Sequence, residues 1–262
     1  MKSVRMDFPC EWAHCNVYTL SDLHIGDPNA NEAEIERRIN EAKNDPMGVI
    51  ILNGDLMNTA TKGGVSDVYG EKLSPMQQID YLCKLFSPLK DKIIGVTSGN
   101  HEGRVYKDDG IDVMRLVCRE IGIEERYCPE GIVIFLRFGK KNGHLRHRNQ
   151  NPSQFYTIYA THGAGGGAKE GAKANRLAEL ASIVDADVYV HAHTHIPLIL
   201  KNSFYRVNPF SSTVSCVERL FVNSGAALNY GGYGQAKSFK PSSIANPIIT
   251  LLADHKHMTA RV

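Results

Sequence analysis

The sequence predicts an α/β fold in which a largely buried sheet leads into a strand-rich C-terminal part. Short β-branched runs alternate with segments of helical periodicity up to about residue 186, a pattern typical of βαβ units. After that point strand signals dominate and no helical pattern follows. The length of 262 residues is sufficient for a full hydrophobic core, so we expect one layered domain spanning residues 1–262.

Six apolar runs are predicted to form buried strands because β-branched residues are concentrated in them. These runs cover residues 16–20, 48–52, 92–97, 155–160, 186–190 and 220–223. Four segments are predicted to be helical, at residues 31–44, 74–86, 110–122 and 171–184. Asn31 is suited to cap the first helix, and Ser74 followed by Pro75 marks the start of the second.

Composition and charge leave a broad range of functions open. The formal net charge of +2 argues neither for nor against a nucleic-acid partner, because a local basic patch can be hidden in a balanced total. The six cysteines have no framework spacing, which favours reduced thiols and a cytoplasmic location. We expect no membrane association, since no apolar run is long enough to span a bilayer and the N-terminus lacks a secretory pattern.

Polar side chains that carry chemistry follow five of the predicted strands. In an open α/β sheet, the loops at the carboxyl ends of strands are where ligands bind. Five such coincidences are hard to explain by packing alone. The residues are Asp22 and His24; Asp55; Asn100, His101 and Glu102; His162; and His193 and His195.

The residue types in this set predict a metal site. Imidazole, carboxylate and amide donors without thiolate suit divalent Mn, Fe, Zn or Ni. Seven donors from this set of nine residues are already too many for one catalytic ion with an open position. Seven donors do fit two ions that share a carboxylate. His193 and His195 follow His191 at alternate positions, so on a strand all three would share one face.

These motifs resemble the motif series of calcineurin-like metallophosphoesterases. The resemblance runs from about residue 16 to 196 and comprises Asp22-Leu23-His24, Gly54-Asp55, Gly99-Asn100-His101-Glu102, His162 and His193-Thr194-His195. It implies a two-sheet β-sandwich flanked by helices, in four α/β/β/α layers, with a dinuclear metal centre for which Mn is favoured. One residue departs from the family pattern, because Ala192 stands where a glycine usually precedes the final histidine pair.

The resemblance also implies a role for each motif residue. Asp22, His24 and His195 would bind the first metal, Asp55 would bridge, and Asn100, His162 and His193 would bind the second. Asn100 would also stabilise phosphoryl oxygens. His101 would be the proton donor or a contact to a substrate oxygen, oriented by Glu102.

The function that follows is metal-dependent phosphoester hydrolysis by a metal-bridging hydroxide, with phosphodiesters favoured and a nucleotide or nucleic acid as the substrate class. Arg104 and the basic segment 137–148 are the reasons for this preference. The alternatives are a phosphomonoesterase acting on a small metabolite or phosphoprotein, and a catalytically inert binding or scaffold module. The oligomeric state is left open.

Several further residues have two open interpretations. Lys169 and Lys173, in the glycine-rich segment after His162, are candidate substrate contacts, although this segment is not a GxxxxGK[ST] phosphate loop. Segment 137–148 is either a nucleic-acid contact or a solvated hairpin tip at Asn142-Gly143. His191 either orients a ligand carboxylate or is simply buried. Segment 230–241 either lines a cleft or caps the sheet.

Overall fold

The structure is a computed structural model of the full chain. It describes all residues except 63–67, 142–143, 146–153, 166, 168, 237 and 239, and the side chains of 140, 141, 144, 145 and 233 also fall outside the description. Most of the basic segment 137–148 and part of segment 230–241 therefore lie outside the described residues. In the described chain, no helix is both long enough and apolar enough to cross a bilayer.

Twelve strands and six α-helices occur within the described ranges. The strands are β1 (Lys2–Pro9), β2 (His14–Leu20), β3 (Gly48–Asn53), β4 (Ile93–Thr97), β5 (Ile132–Lys141), β6 (His144–Leu145), β7 (Phe155–Ala160), β8 (Val188–His191), β9 (Leu198–Asn208), β10 (Thr213–Asn223), β11 (Ile248–Leu252) and β12 (Met258–Arg261). The helices are α1 (Glu32–Asn44), α2 (Pro75–Phe86), α3 (Asn100–Asp109), α4 (Val113–Glu120), α5 (Glu170–Ala178) and α6 (Gly232–Ala236).

The strands form two mixed sheets. The smaller sheet has the order β12-β11-β2-β3-β4, with β2, β3 and β4 parallel. The larger sheet has the order β1-β5-β7-β8-β10-β9, with β6 beside β5. Within it, β7, β8 and β10 run parallel, whereas β9 pairs antiparallel with β10 at the edge.

Successive side chains of a strand point to opposite faces, and this alternation explains why a sheet packs against a layer on each side. On β3, Val49 and Ile51 point into the core between the two sheets, whereas Ile50 and Leu52 point into a second core beneath α1, α2 and α4. A third core, which includes Tyr189, packs the outer face of the larger sheet against α5. The fold is thus the predicted two-sheet sandwich flanked by helices, and the fold prediction is confirmed.

The helix caps follow from local sequence. Asn31 caps α1 by accepting a hydrogen bond from the Glu34 amide, and Ser74 forms a reciprocal capping box with Gln77 at the start of α2. The expected helix at 110–122 is shorter, because Gly110 ends the separate helix α3 in a left-handed conformation with φ 71°. The expectation of no helix after residue 186 is wrong, since α6 lies there.

Candidate metal centre

The carboxyl ends of five strands, three from the smaller sheet and two from the larger one, meet at one edge of the sandwich. Strands β2, β3 and β4 lead into the DxH, GD and GNHE motifs, and β7 and β8 lead into the HG turn and the HxH motif. The GNHE motif forms the first turn of α3 rather than a loop. The predicted convergence of these motifs therefore has a structural basis in the strand order.

Their side chains form three overlapping groups of possible metal donors. In each group one ligand atom per residue lies within 4.8 Å of the others. The groups are Asp22, His24 and His195; Asp55, His162 and His193; and His24, Asp55 and His101. The first two match the sets expected for two ions. His24 belongs to the first and third groups and Asp55 to the second and third, so the three groups are joined through these two residues.

Close approaches between donor atoms define the centre. His195 Nε2 lies 3.2 Å from Asp22 Oδ1 and 3.3 Å from His24 Nε2. On the other side, His162 Nε2 lies 3.2 Å from Asp55 Oδ2. The side-chain oxygen of Asn100 lies 2.7 Å from His193 Nδ1, which places the amide in the second group.

Unpartnered buried atoms show that these residues fit a cation. Asp22 is completely buried, and neither of its carboxylate oxygens accepts a hydrogen bond of good geometry within the described chain, although His195 Nε2 lies 3.2 Å from Oδ1. His162 Nε2 is in the same state. Burial of a carboxylate whose hydrogen-bonding capacity is unused costs free energy, and a bound cation would offset this cost. Nitrogen and oxygen donors of this kind suit divalent transition metals.

Electrostatics couple the carboxylates to the imidazoles. Burial raises the pKa of Asp22, but the neighbouring imidazoles of His195 and His162 together outweigh it and bring the pKa to about 2. Burial alone would lower the pKa of His162, yet the Asp55 carboxylate raises it to about 10. A protonated imidazole therefore neutralises each carboxylate in the absence of a metal. Metal binding would have to release the protons of these imidazoles.

Five of the seven proposed ligands sit in left-handed backbone conformations. Their φ angles are 49° for Asp22, 47° for His24, 49° for Asp55, 64° for His193 and 58° for His195. Non-glycine residues rarely adopt this conformation, and such strain clusters at functional sites. In both the DxH and HxH motifs the intervening residue, Leu23 or Thr194, is buried. The two motifs therefore turn in the same way.

The expectation that three histidines share one strand face is wrong. Strand β8 ends at His191, so His193 and His195 lie in the following turn. Ala192 replaces the usual glycine without strain, because it is not among the described residues with positive φ. His191 is buried and its Nδ1 faces the Asn223 side-chain oxygen at 2.7 Å, so it contacts no ligand carboxylate through that atom.

Asn223, at the end of β10, holds the HxH turn. Its amide nitrogen donates to Thr194 Oγ1 at 3.0 Å and to the Ile196 carbonyl at 2.7 Å. A comparable residue at the end of β3, Asn53, accepts from His162 Nδ1 through its backbone carbonyl at 2.8 Å and thereby aims Nε2 at Asp55. The sequence analysis did not assign a role to either asparagine, although both directly precede a motif or turn at a strand end.

Glu102 does not orient His101, so this prediction needs correction. Its buried carboxylate accepts four backbone amides, those of Asp55 at 3.0 Å, Leu56 at 2.7 Å, Met57 at 3.0 Å and Gly99 at 2.8 Å. The physical reason is the position of Glu102 in the first turn of α3, directly beneath the Asp55 turn. Glu102 therefore shapes the turn that carries Asp55.

His101 is instead oriented by Asn58 and faces Arg104. Its Nδ1 lies 2.8 Å from the Asn58 carbonyl, which can only accept, so Nδ1 carries the proton. Nε2 lies 3.0 Å from Arg104 Nη2, which can only donate. With a bare Nε2, His101 accepts a hydrogen bond from Arg104 in this arrangement, and its role as proton donor or substrate-oxygen contact stays a prediction.

The remaining predicted substrate residues are placed differently from one another. Lys173 donates to the Thr194 carbonyl at 3.0 Å and so supports the HxH turn. Lys169 is exposed at the N-cap of α5. Arg137, in the basic segment, pairs with Asp7 at 3.1 Å. Of the residues predicted to contact substrate, Arg104 alone is shown beside the donor groups.

The two-sheet fold and the buried Asp/His donor set define a metal-dependent phosphoesterase. The chain belongs to the calcineurin-like phosphoesterase family, whose sequence profile matches residues 16–197. This range contains all five motifs, and it confirms the resemblance noted from the sequence. No curated protein sequence matches the chain significantly.

Solved structures with a similar arrangement share little sequence with this chain. A predicted phosphoesterase from Streptococcus pneumoniae is 14% identical, with a TM-score of 0.37, over 95% of this chain and 99% of the other. Vacuolar Protein Sorting 29 from Cryptosporidium parvum is 13% identical, with a TM-score of 0.45, over 95% and 96%. A single mutant of Vps29 from Entamoeba histolytica is 12% identical, with a TM-score of 0.40, over 94% and 97%.

Proposed function

We propose that this protein is a dinuclear metal-dependent phosphoester hydrolase that prefers phosphodiesters. The proposal rests on the two donor groups that lie side by side around the unpartnered carboxylate of Asp22 and the shared carboxylate of Asp55. Every ligand position of the family pattern is filled, which argues against an inert scaffold.

The residues divide between two cations, with Mn favoured. Asp22, His24 and His195 would hold one cation; Asn100, His162 and His193 would hold the other; Asp55 would be shared. When bound, the pair lowers the pKa of water and neutralises charge on the phosphoryl oxygens. Oriented imidazoles keep this centre rigid, because His162 Nδ1 is fixed by the Asn53 carbonyl and His193 Nδ1 by the Asn100 side chain.

Arg104 is the residue that would contact the phosphoryl group or the leaving oxygen. Burial lowers its pKa, but a guanidinium remains charged in proteins and offers donors in a planar fork. His101 accepts from one of these donors and so positions Arg104 beside the donor groups. A fixed cation at this place can anchor the second ester arm of a phosphodiester, which favours a nucleotide or nucleic-acid substrate.

The first experiment compares bis-p-nitrophenyl phosphate with p-nitrophenyl phosphate as substrates, with Mn added. We expect faster turnover of the diester. A wide preference for the monoester would instead indicate a phosphomonoesterase. Elemental analysis of the same sample is needed, because a metal-loaded protein without activity on either ester would indicate a scaffold.

A second experiment separates the ligands from Arg104 and His101. Asp22→Asn is expected to lose both metal and turnover, whereas the exposed control Asp91→Asn should retain both. His101→Ala should keep wild-type metal content and lose turnover, since it disturbs only the placement of Arg104. Loss of metal in His101→Ala would show that His101 is itself a ligand, as the third donor group allows.

The cellular location is a further part of the proposal. All six cysteines are unpaired, including the exposed Cys216. Free thiols persist in a reducing compartment, which supports the cytoplasm. Expression of the protein in an oxidising compartment would then be expected to yield cross-linked or inactive protein.

A further inference from the structure

The hairpin formed by β9 and β10 extends beyond the body of the protein. Within it, residues 202–218, which we call the arm, are exposed except for Val217, which is partly buried. The strands stay in register without a bulge from Leu198↔Asn223 to Asn208↔Thr213. A two-stranded ribbon exposed on both faces is marginally stable in water, because it lacks a layer to pack against.

One face of the arm is apolar. Strand register places Tyr205 opposite Cys216 and Val207 opposite Val214, and all four side chains point to the same side. Tyr205 is 81% exposed, Val207 67% and Val214 63%. Phe210, in the turn, is 99% exposed. Side chains of this size leave several hundred Å² of apolar surface in water, which is unusual for a surface without a partner.

The charges on this face favour a second copy over a charged partner. At the base of the arm Lys201 pairs with Glu218 at 2.7 Å, so the face carries no net charge. On the opposite face, Arg206 is paired with Asp185. A neutral apolar face offers nothing to the phosphates of a nucleic acid, but it is complementary to itself under two-fold rotation.

We propose that the apolar face of the arm packs against the same face of a second copy of this chain. The exposed surface of Tyr205, Val207, Val214 and Phe210 would supply a large part of the roughly 800 Å² per partner that a stable interface buries. Packing two arms face to face gives each ribbon the second layer that it lacks. The arm thereby becomes the core of a dimer interface, independent of the chemistry at the metal centre.

The test is the mass of the full chain in solution, measured by light scattering at several concentrations. We expect a species of twice 29.0 kDa for the wild-type protein. Val207→Lys and Val214→Lys, on the apolar face, should each halve this mass. Ser215→Lys, which adds the same charge on the opposite face of the same strand, should leave the dimer intact. The Val207→Lys and Val214→Lys monomers should show the same melting behaviour in circular dichroism, since the arm packs against no core.

A second measurement uses Cys216, which lies within the proposed interface. A short bismaleimide should link two copies through Cys216, and Cys216→Ser should abolish the linked product. A wild-type mass of 29.0 kDa at every concentration would overturn the proposal and leave the face to a different partner. A dimer that survives both lysine substitutions, or forms no link through Cys216, would equally exclude this face.

Discussion

Replacing Glu102 by glutamine tests the function of the buried carboxylate beneath the Asp55 turn. In the wild-type protein each carboxylate oxygen accepts two backbone amides: Oε2 from Asp55 and Gly99, and Oε1 from Leu56 and Met57. A glutamine of the same shape keeps one accepting oxygen. Its NH₂ group must then face two amide donors, which leaves those amides unpartnered.

The magnitude follows from those two lost hydrogen bonds. Burial and the charge on Asp55 raise the pKa of Glu102 to about 7, so the measurement is made above that pH, where the carboxylate is charged. A hydrogen bond to a charged group contributes about 1.5–3 kcal/mol, so we expect Glu102→Gln to lower the free energy of unfolding there by about 3–6 kcal/mol. This is a large part of the about 5–15 kcal/mol that stabilises an ordinary domain. Because the Asp55 turn is displaced, metal affinity should fall as well.

The assay is urea unfolding combined with metal content at equilibrium. Asp108→Asn removes the same charge from the exposed side of α3 and should change neither quantity. The reasoning would be refuted if Glu102→Gln unfolded like the wild type and bound metal normally but lost turnover. Glu102 would then act on the substrate rather than on the turn.

Three further predictions concern positions that support the site or the fold. Gly99→Ala places a Cβ 2.1 Å from Asp55 Oδ1, so we expect lower thermal stability and lower metal content; Gly103→Ala, with open space around it, should be neutral or slightly stabilising in a thermal melt. Asn223→Asp keeps an acceptor for His191 but loses the donors to the HxH turn, and isothermal titration should show metal affinity reduced about 10–100-fold. The pKa of Glu34 is lowered from 4.5 to about 2, chiefly by its hydrogen bonds to Arg37, so its stabilising contribution is present above about pH 4.5 and is lost as the pH falls toward 2. Glu34→Gln should therefore cost about 1–2 kcal/mol in urea unfolding at pH 7, discounted because Arg37 is largely exposed, and this cost should shrink as the pH falls from about 4.5 toward 2. A cost that does not vary with pH would contradict the ion-pair explanation.

The positions of the motif residues could be predicted from the sequence because each motif directly follows an apolar strand. Runs such as 48–52 are buried on both faces, as expected for the inner strands of a sheet. Polar residues that follow such strands are therefore expected to lie together where the carboxyl ends of the strands meet. The prediction failed where tertiary contacts decide. Glu102 points beneath the Asp55 turn because α3 begins at Asn100 and Glu102 is its third residue, whereas the sequence analysis did not predict a helix at this position.

The edge strands show a second limit. The sequence analysis did not predict six strands, β1, β5, β6, β9, β11 and β12. The edge strands β1 and β9 escaped it because exposed edge residues alternate weakly and mix charged with apolar side chains. His101 shows a third limit. Its Nε2 is free of a proton because of two neighbours, Asn58, which is distant in sequence, and Arg104, which is one helical turn away. Residue type and spacing predict which atoms can bind a metal, but not which proton each imidazole carries.

The left-handed backbone conformations of the proposed ligands explain why so many buried polar residues surround the candidate metal centre. Each non-glycine residue in this conformation costs about 1–3 kcal/mol, and five of them approach the stability of a whole domain. Such a set of turns persists only if other contacts impose it. Glu102 does so for the Asp55 turn with four amide hydrogen bonds, and Asn223 and Lys173 do so for the HxH turn. The proposed ligands are therefore held in place without a bound cation, because the strain is offset by residues outside the donor groups.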